Sequence, residues 1–275
     1  MNTSNGDVRN RDVYGRLLEH KIAVVYGASG GIGSSVARAF ARDGAKVHLV
    51  GRHEVPLEAV SEAIRSEQGA AQSALVDASD EAAVADHVQH VLAQDGRIDI
   101  LFNAIGMADV QGTPLLDMPL NSVLQPVSTA VATQFNTARA VARAMVKQRS
   151  GVILTVTAEP TPGPNIGGFG AACAAIEGLW RSLAAELGPS GIRLIVIRSV
   201  GSADTPAVGG LFAALAHSSG SSVEEVIAAA GSATLLGRLP QVNEIANVAT
   251  IMASDRASAI TAAIVNATCG AWIDQ

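Results

Sequence analysis

Cysteine is nearly missing from this chain: two occur in 275 residues, Cys173 and Cys269. So few thiols in so long a chain exclude a disulfide framework and predict a reducing compartment, the cytoplasm. Clustered positive charge is missing too. Net charge is -6, and no run of Lys and Arg offers a surface to nucleic acid or an anionic membrane. The stretch Met1 to His20 is polar and charged, so it has no apolar segment of the signal-peptide kind. Internal repeats and a Pro-rich linker are absent, which leaves one domain over 21–275, a short extension over 1–20 and no division between. Charge itself vanishes from Met118 to Ala138, a length close to a bilayer crossing. That run carries Asn121, Ser122, Gln125, Ser128, Thr129, Thr133, Gln134 and Asn136, which hydrocarbon would leave unpaired, so it predicts a helix buried within protein or between subunits.

What is present is 48% hydrophobic residues, enough for one large core. Short apolar runs alternate with helical stretches, as in a parallel sheet covered on both faces. The expected strands are Ile22 to Tyr26, Lys46 to Val50, Ala74 to Asp77, Ile98 to Asn103, Val152 to Val156, Arg193 to Arg198 and Ile264 to Ala267. The expected helices lie near Ile32 to Asp43, Pro56 to Gln68, Asp80 to Gln94, Leu120 to Gln148, Gly168 to Leu187 and Gln241 to Ala253. Seven parallel strands with helices on both faces make a Rossmann-type doubly wound α/β fold. The Gly- and Ser-rich stretch from Gly201 to Ser222 reads as a mobile lid within a substrate-loop region near 201–235.

Chemistry first appears in Gly27-Ala28-Ser29-Gly30-Gly31-Ile32-Gly33, directly after the first strand and opening the first helix. Glycine permits the tight turn and the approach of backbone N–H groups to a pyrophosphate, and the helix start adds its positive dipole end. The second strand ends at Gly51-Arg52, where a dinucleotide fold meets the adenosine ribose. An acid there would bond the 2'-hydroxyl, whereas Arg52 suits a 2'-phosphate, so NADP(H) is favoured over NAD(H). His87 and His90 share a helix face but lack a third ligand, so the sequence predicts surface histidines and no metal site.

With the glycine turn, Asn103-Ala104-Ile105-Gly106 after the fourth strand, Gly191 to Ile197, Thr205-Pro206 and Phe169 to Cys173 resemble the short-chain dehydrogenase/reductase family. The resemblance implies a nicotinamide dinucleotide held by Gly27, Ser29, Gly30, Gly31, Ile32, Gly33, Arg52, Asp77, Ala78, Asn103, Ala104, Gly106 and Thr205. It also implies a small-molecule substrate and a homo-oligomer, a dimer or tetramer. The family's catalytic Asn, Ser, Tyr and Lys fall on Ala130, Ala158, Phe169 and Cys173, with Thr157 an alternative for the Ser. None matches. The Tyr hydroxyl protonates the carbonyl oxygen as hydride arrives and the Lys ammonium tunes it. Phe169 has no such proton, and a thiol with an ordinary pKa of about 8.5 adds no positive charge. Thr157, Asp109, Gln111, Glu159 and Asn165 are the remaining polar candidates for the crevice. Three classes follow: an oxidoreductase acting on a small carbonyl or alcohol with a non-standard site, a non-redox cyclase or lyase on the same fold, or a binding subunit without catalysis.

Overall fold

The computed structural model of the protein describes residues 15–158 and 165–273. Seven strands, β1 (Ile22–Tyr26), β2 (Lys46–Gly51), β3 (Ala70–Leu75), β4 (Ile100–Asn103), β5 (Gly151–Ala158), β6 (Ile192–Ser199) and β7 (Ala263–Ala267), form one sheet in the order β3-β2-β1-β4-β5-β6-β7. Every pairing is parallel. β1 and β4 are neighbours although β2 and β3 separate them in the chain. The strand order therefore reverses at β1 and β4, and a crevice opens at their C-terminal ends.

Covering helices explain why these strands read as continuous apolar runs. β4 is buried throughout and β1 nearly so, because helices lie on both faces. On one face, Ala23, Val25, Val47, Leu49 and Phe102 pack with α1 (Gly31–Arg42), α2 (Glu54–Ser66) and α8 (Val242–Ala253). On the other, Val24, Leu101, Ile153 and Val196 pack with α3 (Glu81–Asp95), α4 (Leu120–Gln148) and α5 (Phe169–Leu187). Alternation along each strand divides its side chains between the two cores. Each large side chain buried this way contributes about 1.5–3 kcal/mol. Two further helices, α6 (Pro206–Ser219) and α7 (Val223–Ser232), follow β6.

The helices begin where local chemistry starts them. Asp80 caps α3 by accepting from the N–H groups of Ala82 and Ala83 at 2.9 and 3.0 Å. Ser222 and Glu225 form a reciprocal capping box at α7. By contrast, no side chain caps α1, whose N-cap is Gly30.

Four expectations need correction. The third strand is Ala70–Leu75, not residues 74 to 77: it is an edge strand with half its side chains outward, so Gln72 and Ser73 belong to it while Val76 and Asp77 form the following turn. The supposed lid of 201–222 is largely helix α6, started by Pro206 at its first position. His87 is 7% exposed rather than on the surface, because α3 turns it onto the Tyr26 hydroxyl, 3.2 Å from Nδ1. Leu18, inside the stretch expected as an extension, is a fully buried core residue. The charge-free run forms the first two-thirds of α4, with Ala130, Thr133, Gln134, Thr137 and Ala138 buried. No helix among the described residues is long and apolar enough to cross a membrane.

Candidate functional site

The turn between β1 and α1 is set by contacts that only glycine allows. Gly27 has φ +75, and a Cβ there would overlap the Ala104 carbonyl on the neighbouring β4 turn. A Cβ on Gly33 would overlap the Gly27 carbonyl oxygen, so the helix is drawn tightly onto the turn. Gly27 and Ala28 donate their N–H groups to the Val50 carbonyl at 2.9 and 3.1 Å, tying the turn to β2. With no side-chain hydrogen bond capping its start, α1 presents N–H groups and a positive dipole end at the crevice. A Cβ on Gly31 would lie 2.8 Å from Cβ of Thr205. Thus the segment that opens α6 rests on the glycine turn, and residues 174 positions apart in the chain meet at one place.

The remaining cradle positions line the same edge. Ser29 Oγ would be 3.4 Å from a Cβ on Gly51, at the end of β2 where exposed Arg52 follows. Asp77 accepts from the Ser79 N–H and hydroxyl at 2.9 and 2.7 Å. These bonds, and more weakly the Arg52 charge, hold its carboxyl below the usual carboxylate range despite a small opposing effect of desolvation. Asn136 of α4 donates to the carbonyls of Ala78 and Ser79 at 3.2 and 3.3 Å, which pins that turn. Asn103 differs from the others: its side chain is wholly buried and donates to Thr137 Oγ1 at 2.9 Å, so it braces β4 against α4. Gly106 is exposed in the loop beyond, and Ile32 is half-buried in the first turn of α1.

A residue profile described as Enoyl-(Acyl carrier protein) reductase matches residues 27–271. The chain belongs to the short-chain dehydrogenase/reductase family. It is 31% identical to the 3-oxoacyl-[acyl-carrier-protein] reductase FabG of Chlamydia muridarum over 91% of this chain and 96% of that protein. The crystal structure of levodione reductase superposes with a TM-score of 0.84 at 26% identity, covering 92% of this chain and 97% of the other. A 7 alpha-hydroxysteroid dehydrogenase complexed with NADH and 7-oxo glycochenodeoxycholic acid superposes with a TM-score of 0.79 at 27% identity, covering 92% and 94%. Nicotinamide dinucleotides are the family's cofactors, and the glycine turn, the uncapped helix start and the Thr205 contact fit one.

The four positions that the sequence resemblance matched to catalytic groups lie on α4, β5 and α5. Ala130 is buried on α4, and Ala158 closes β5. Phe169 is half-buried at the start of α5, and Cys173, one turn on, is 1% exposed. Thr157 is close by, but its hydroxyl donates to Glu177 Oε1 at 3.1 Å. Asp109 and Gln111 bond each other at 2.6 Å, and Asn165 uses its backbone carbonyl to accept from Gly112 at 2.8 Å. Glu159 lies outside the described residues.

Sequence reasoning missed Glu177 and Arg198. Glu177 continues the Phe169–Cys173 stripe of α5 by one more turn, and Arg198 stands beside Thr157 in the β5–β6 register. The guanidinium grips the carboxylate with Nη2 at 2.8 Å and Nε at 3.2 Å, the two side chains being 11% and 13% exposed. The Arg198 guanidinium carbon lies over the Trp272 ring, 5.7 Å from its centroid. The signal was available: an acid and a base inside a strand and a helix otherwise packed with apolar residues must be paired.

Proposed function

We propose that this protein is an NADP(H)-dependent oxidoreductase acting on a small carbonyl or alcohol, with a reaction strip that supplies no tuned proton. The observation that carries the reading is the glycine turn, closed against Ala104 on one side and Thr205 on the other, beneath an uncapped helix start. Gly30, Gly31, Ile32 and Gly33 would offer backbone amides to the pyrophosphate, with Gly27 and Ser29 shaping the turn. Arg52 would pair with the 2'-phosphate, Asp77 and Ala78 would border the adenine, and Ala104, Gly106 and Thr205 would lie along the nicotinamide half. Asn103 supports this edge from within. When bound, the nicotinamide gives or takes a hydride. Phe169 and Ala158 shape the strip and orient substrate by contact alone. Thr157 cannot readily donate, since its hydrogen is engaged by Glu177. Water is then the proton source, and turnover is slow compared with relatives that keep a tuned tyrosine. We further take the protein to be a cytoplasmic homo-oligomer.

Titrating purified protein into NADPH should raise and blue-shift the nicotinamide emission. Mixing it with C4-deuterated NADPH and a panel of small ketones should then transfer deuterium to product. Absence of any NADPH binding would sink the reading. NADPH binding with no deuterium transfer to any ketone, and none back from the alcohols, would favour the second reading, a nucleotide-binding subunit without catalysis. That reading rests on the simultaneous presence of Ala130, Ala158, Phe169 and Cys173 at the four positions.

A further inference from the structure

Helices α3 and α4 pack side by side on one face of the sheet, and their C-terminal ends meet where the chain enters β4 and β5, on the edge opposite the crevice. Polar ties hold them at both ends. Arg139 of α4 pairs with Glu81 at the start of α3. At the other end Gln148 accepts from the Ile98 N–H at 3.1 Å and donates to the Ile98 carbonyl at 2.9 Å, just beyond α3. Between these ties the helices leave a groove of about 290 Å³. Ala140 and Ala144 of α4 are too small to fill it, and with Val88 and Leu92 of α3 they give it an apolar lining. Val88 and Ala144 are buried at its base, while Leu92 and Ala140 are half-buried.

Arg143 and Lys147, one turn apart on α4, line the same groove and are exposed at its rim. Their charges are unanswered. Arg139 has Glu81, whereas neither Arg143 nor Lys147 has an ion-pair partner among the described residues, and no residue lining the groove is an acid. Lys147 lies in the last turn, where it suits the negative end of the helix. Arg143 lies more than a turn from that end, beyond the reach of the same effect. Like charges at i, i+4 repel each other on a helix, and an anion seated between them would turn that repulsion into attraction. The volume suits a ligand of roughly ten non-hydrogen atoms, at about 30 Å³ for each water-sized group.

We infer that this groove binds a small amphipathic anion, with a carboxylate or phosphate head between Arg143 and Lys147 and an apolar body along Val88, Leu92, Ala140 and Ala144. The site lies apart from the glycine turn, and the inference does not depend on the oxidoreductase reading.

Octanoate, which has the expected size, is titrated calorimetrically into the full chain. It should bind at least about tenfold more tightly than acetate, which lacks the body, and than 1-octanol, which lacks the charge. Octyl phosphate in a parallel titration shows which of the two heads the cations prefer. Arg143→Gln with Lys147→Gln should weaken octanoate roughly tenfold by removing the charge-assisted bonds. Ala140→Phe, which fills the groove and leaves both charges in place, should abolish binding. A melting curve checks the fold of each variant, and if the phenylalanine is not accommodated the charge variant decides alone, since both of its positions are exposed. Octanoate that binds no better than acetate or 1-octanol would overturn the inference. So would octanoate binding that survives in either folded variant, because the anion would then sit elsewhere, the crevice included. NADPH emission, followed separately, should be the same in parent and variants, and its absence throughout would count against the oxidoreductase reading alone.

Discussion

The glycine turn at β1–α1 and the strip at the start of α5 border one crevice and follow opposite rules. The turn works through backbone: Gly27 and Gly33 have no room for a side chain, and its ligand would meet N–H groups that every residue but proline possesses. The strip works through side chains, and there a hydroxyl and an ammonium can be replaced without disturbing the helix. On the function proposed above, Phe169 and Cys173 are such replacements, and Ala172, Cys173 and Ile176 still bury one side of α5 against the core. Backbone-defined sites are therefore tied to the fold, whereas side-chain chemistry can be lost from an intact scaffold.

Restoring the strip is the strongest way to break the contrast. Phe169→Tyr with Cys173→Lys places a proton donor and its tuning cation on the first turns of α5. General acid catalysis contributes about 10²- to 10⁴-fold, so the rate of hydride transfer from NADPH to a small ketone should rise within that range. A rate that also acquires an ionisation near neutral pH would identify the new tyrosine as its source. Cys173 is 1% exposed, so thermal melting must first show that the added lysine is accommodated. A folded, NADPH-binding double variant with no gain would show that the missing acid does not limit this protein.

The nucleotide half carries a different vulnerability, in the polar groups beneath its turn. Tyr26, the residue before Gly27, contacts His87, whose ring lies 6.4 Å from that of His48. His48 Nε2 bonds Asp95 at 2.7 Å, and Lys46 bonds the same carboxylate at 2.6 Å. Burial favours the neutral imidazole in both rings: His48 is lowered although Asp95 opposes the shift, and His87 is lowered to about 4, with the neighbouring His48 and His90 adding to the effect. Folded His87 thus binds its proton less readily than the unfolded chain, where its pKa is about 6.5. Its contribution to stability is complete above pH 6.5 and declines as pH falls toward 4, by up to about 3 kcal/mol. Urea midpoints measured from pH 7 to pH 4 should follow that decline, and His87→Gln, which keeps a polar contact but does not titrate, should flatten it. An unchanged acid limb in the variant would assign the loss to other groups.

Much of this was legible from the sequence because buried parallel strands leave uninterrupted apolar runs, and the alternating helices are amphipathic. The Leu120–Gln148 helix has the bounds its pattern predicts. β3 was misplaced because an edge strand half open to solvent tolerates Gln72 and Ser73, which weakens the apolar signal and shifts it toward Val76. α6 was hidden by Gly209, Gly210 and its nearby serines, which suggest a loop, although Pro206 starts a helix there that buries Phe212 and Ala216. His87 and the Glu177–Arg198 pair needed the third dimension, since their partners lie 61 and 21 positions away in the chain. Local pattern specifies the elements, while polar groups find partners only once the elements have packed.

The cradle's preference among nucleotides turns on a smaller effect, confined to one surface side chain. Arg52 follows Gly51 at the exposed end of β2, beside Ser29 and near enough to Asp77 to act on its carboxyl. A 2'-phosphate there would gain a charge-assisted bond from the guanidinium, and solvent would screen part of it. Arg52→Ala should therefore weaken NADPH by roughly tenfold and leave NADH nearly unchanged, a difference of about 1.4 kcal/mol. Raising ionic strength should reduce the parent's preference for NADPH and have little effect on the variant, because only the charged pair is screened. Equal weakening of both dinucleotides would mean that Arg52 shapes the edge of the cradle without reading the phosphate. The backbone rule drawn for the glycine turn would then extend to nucleotide choice as well.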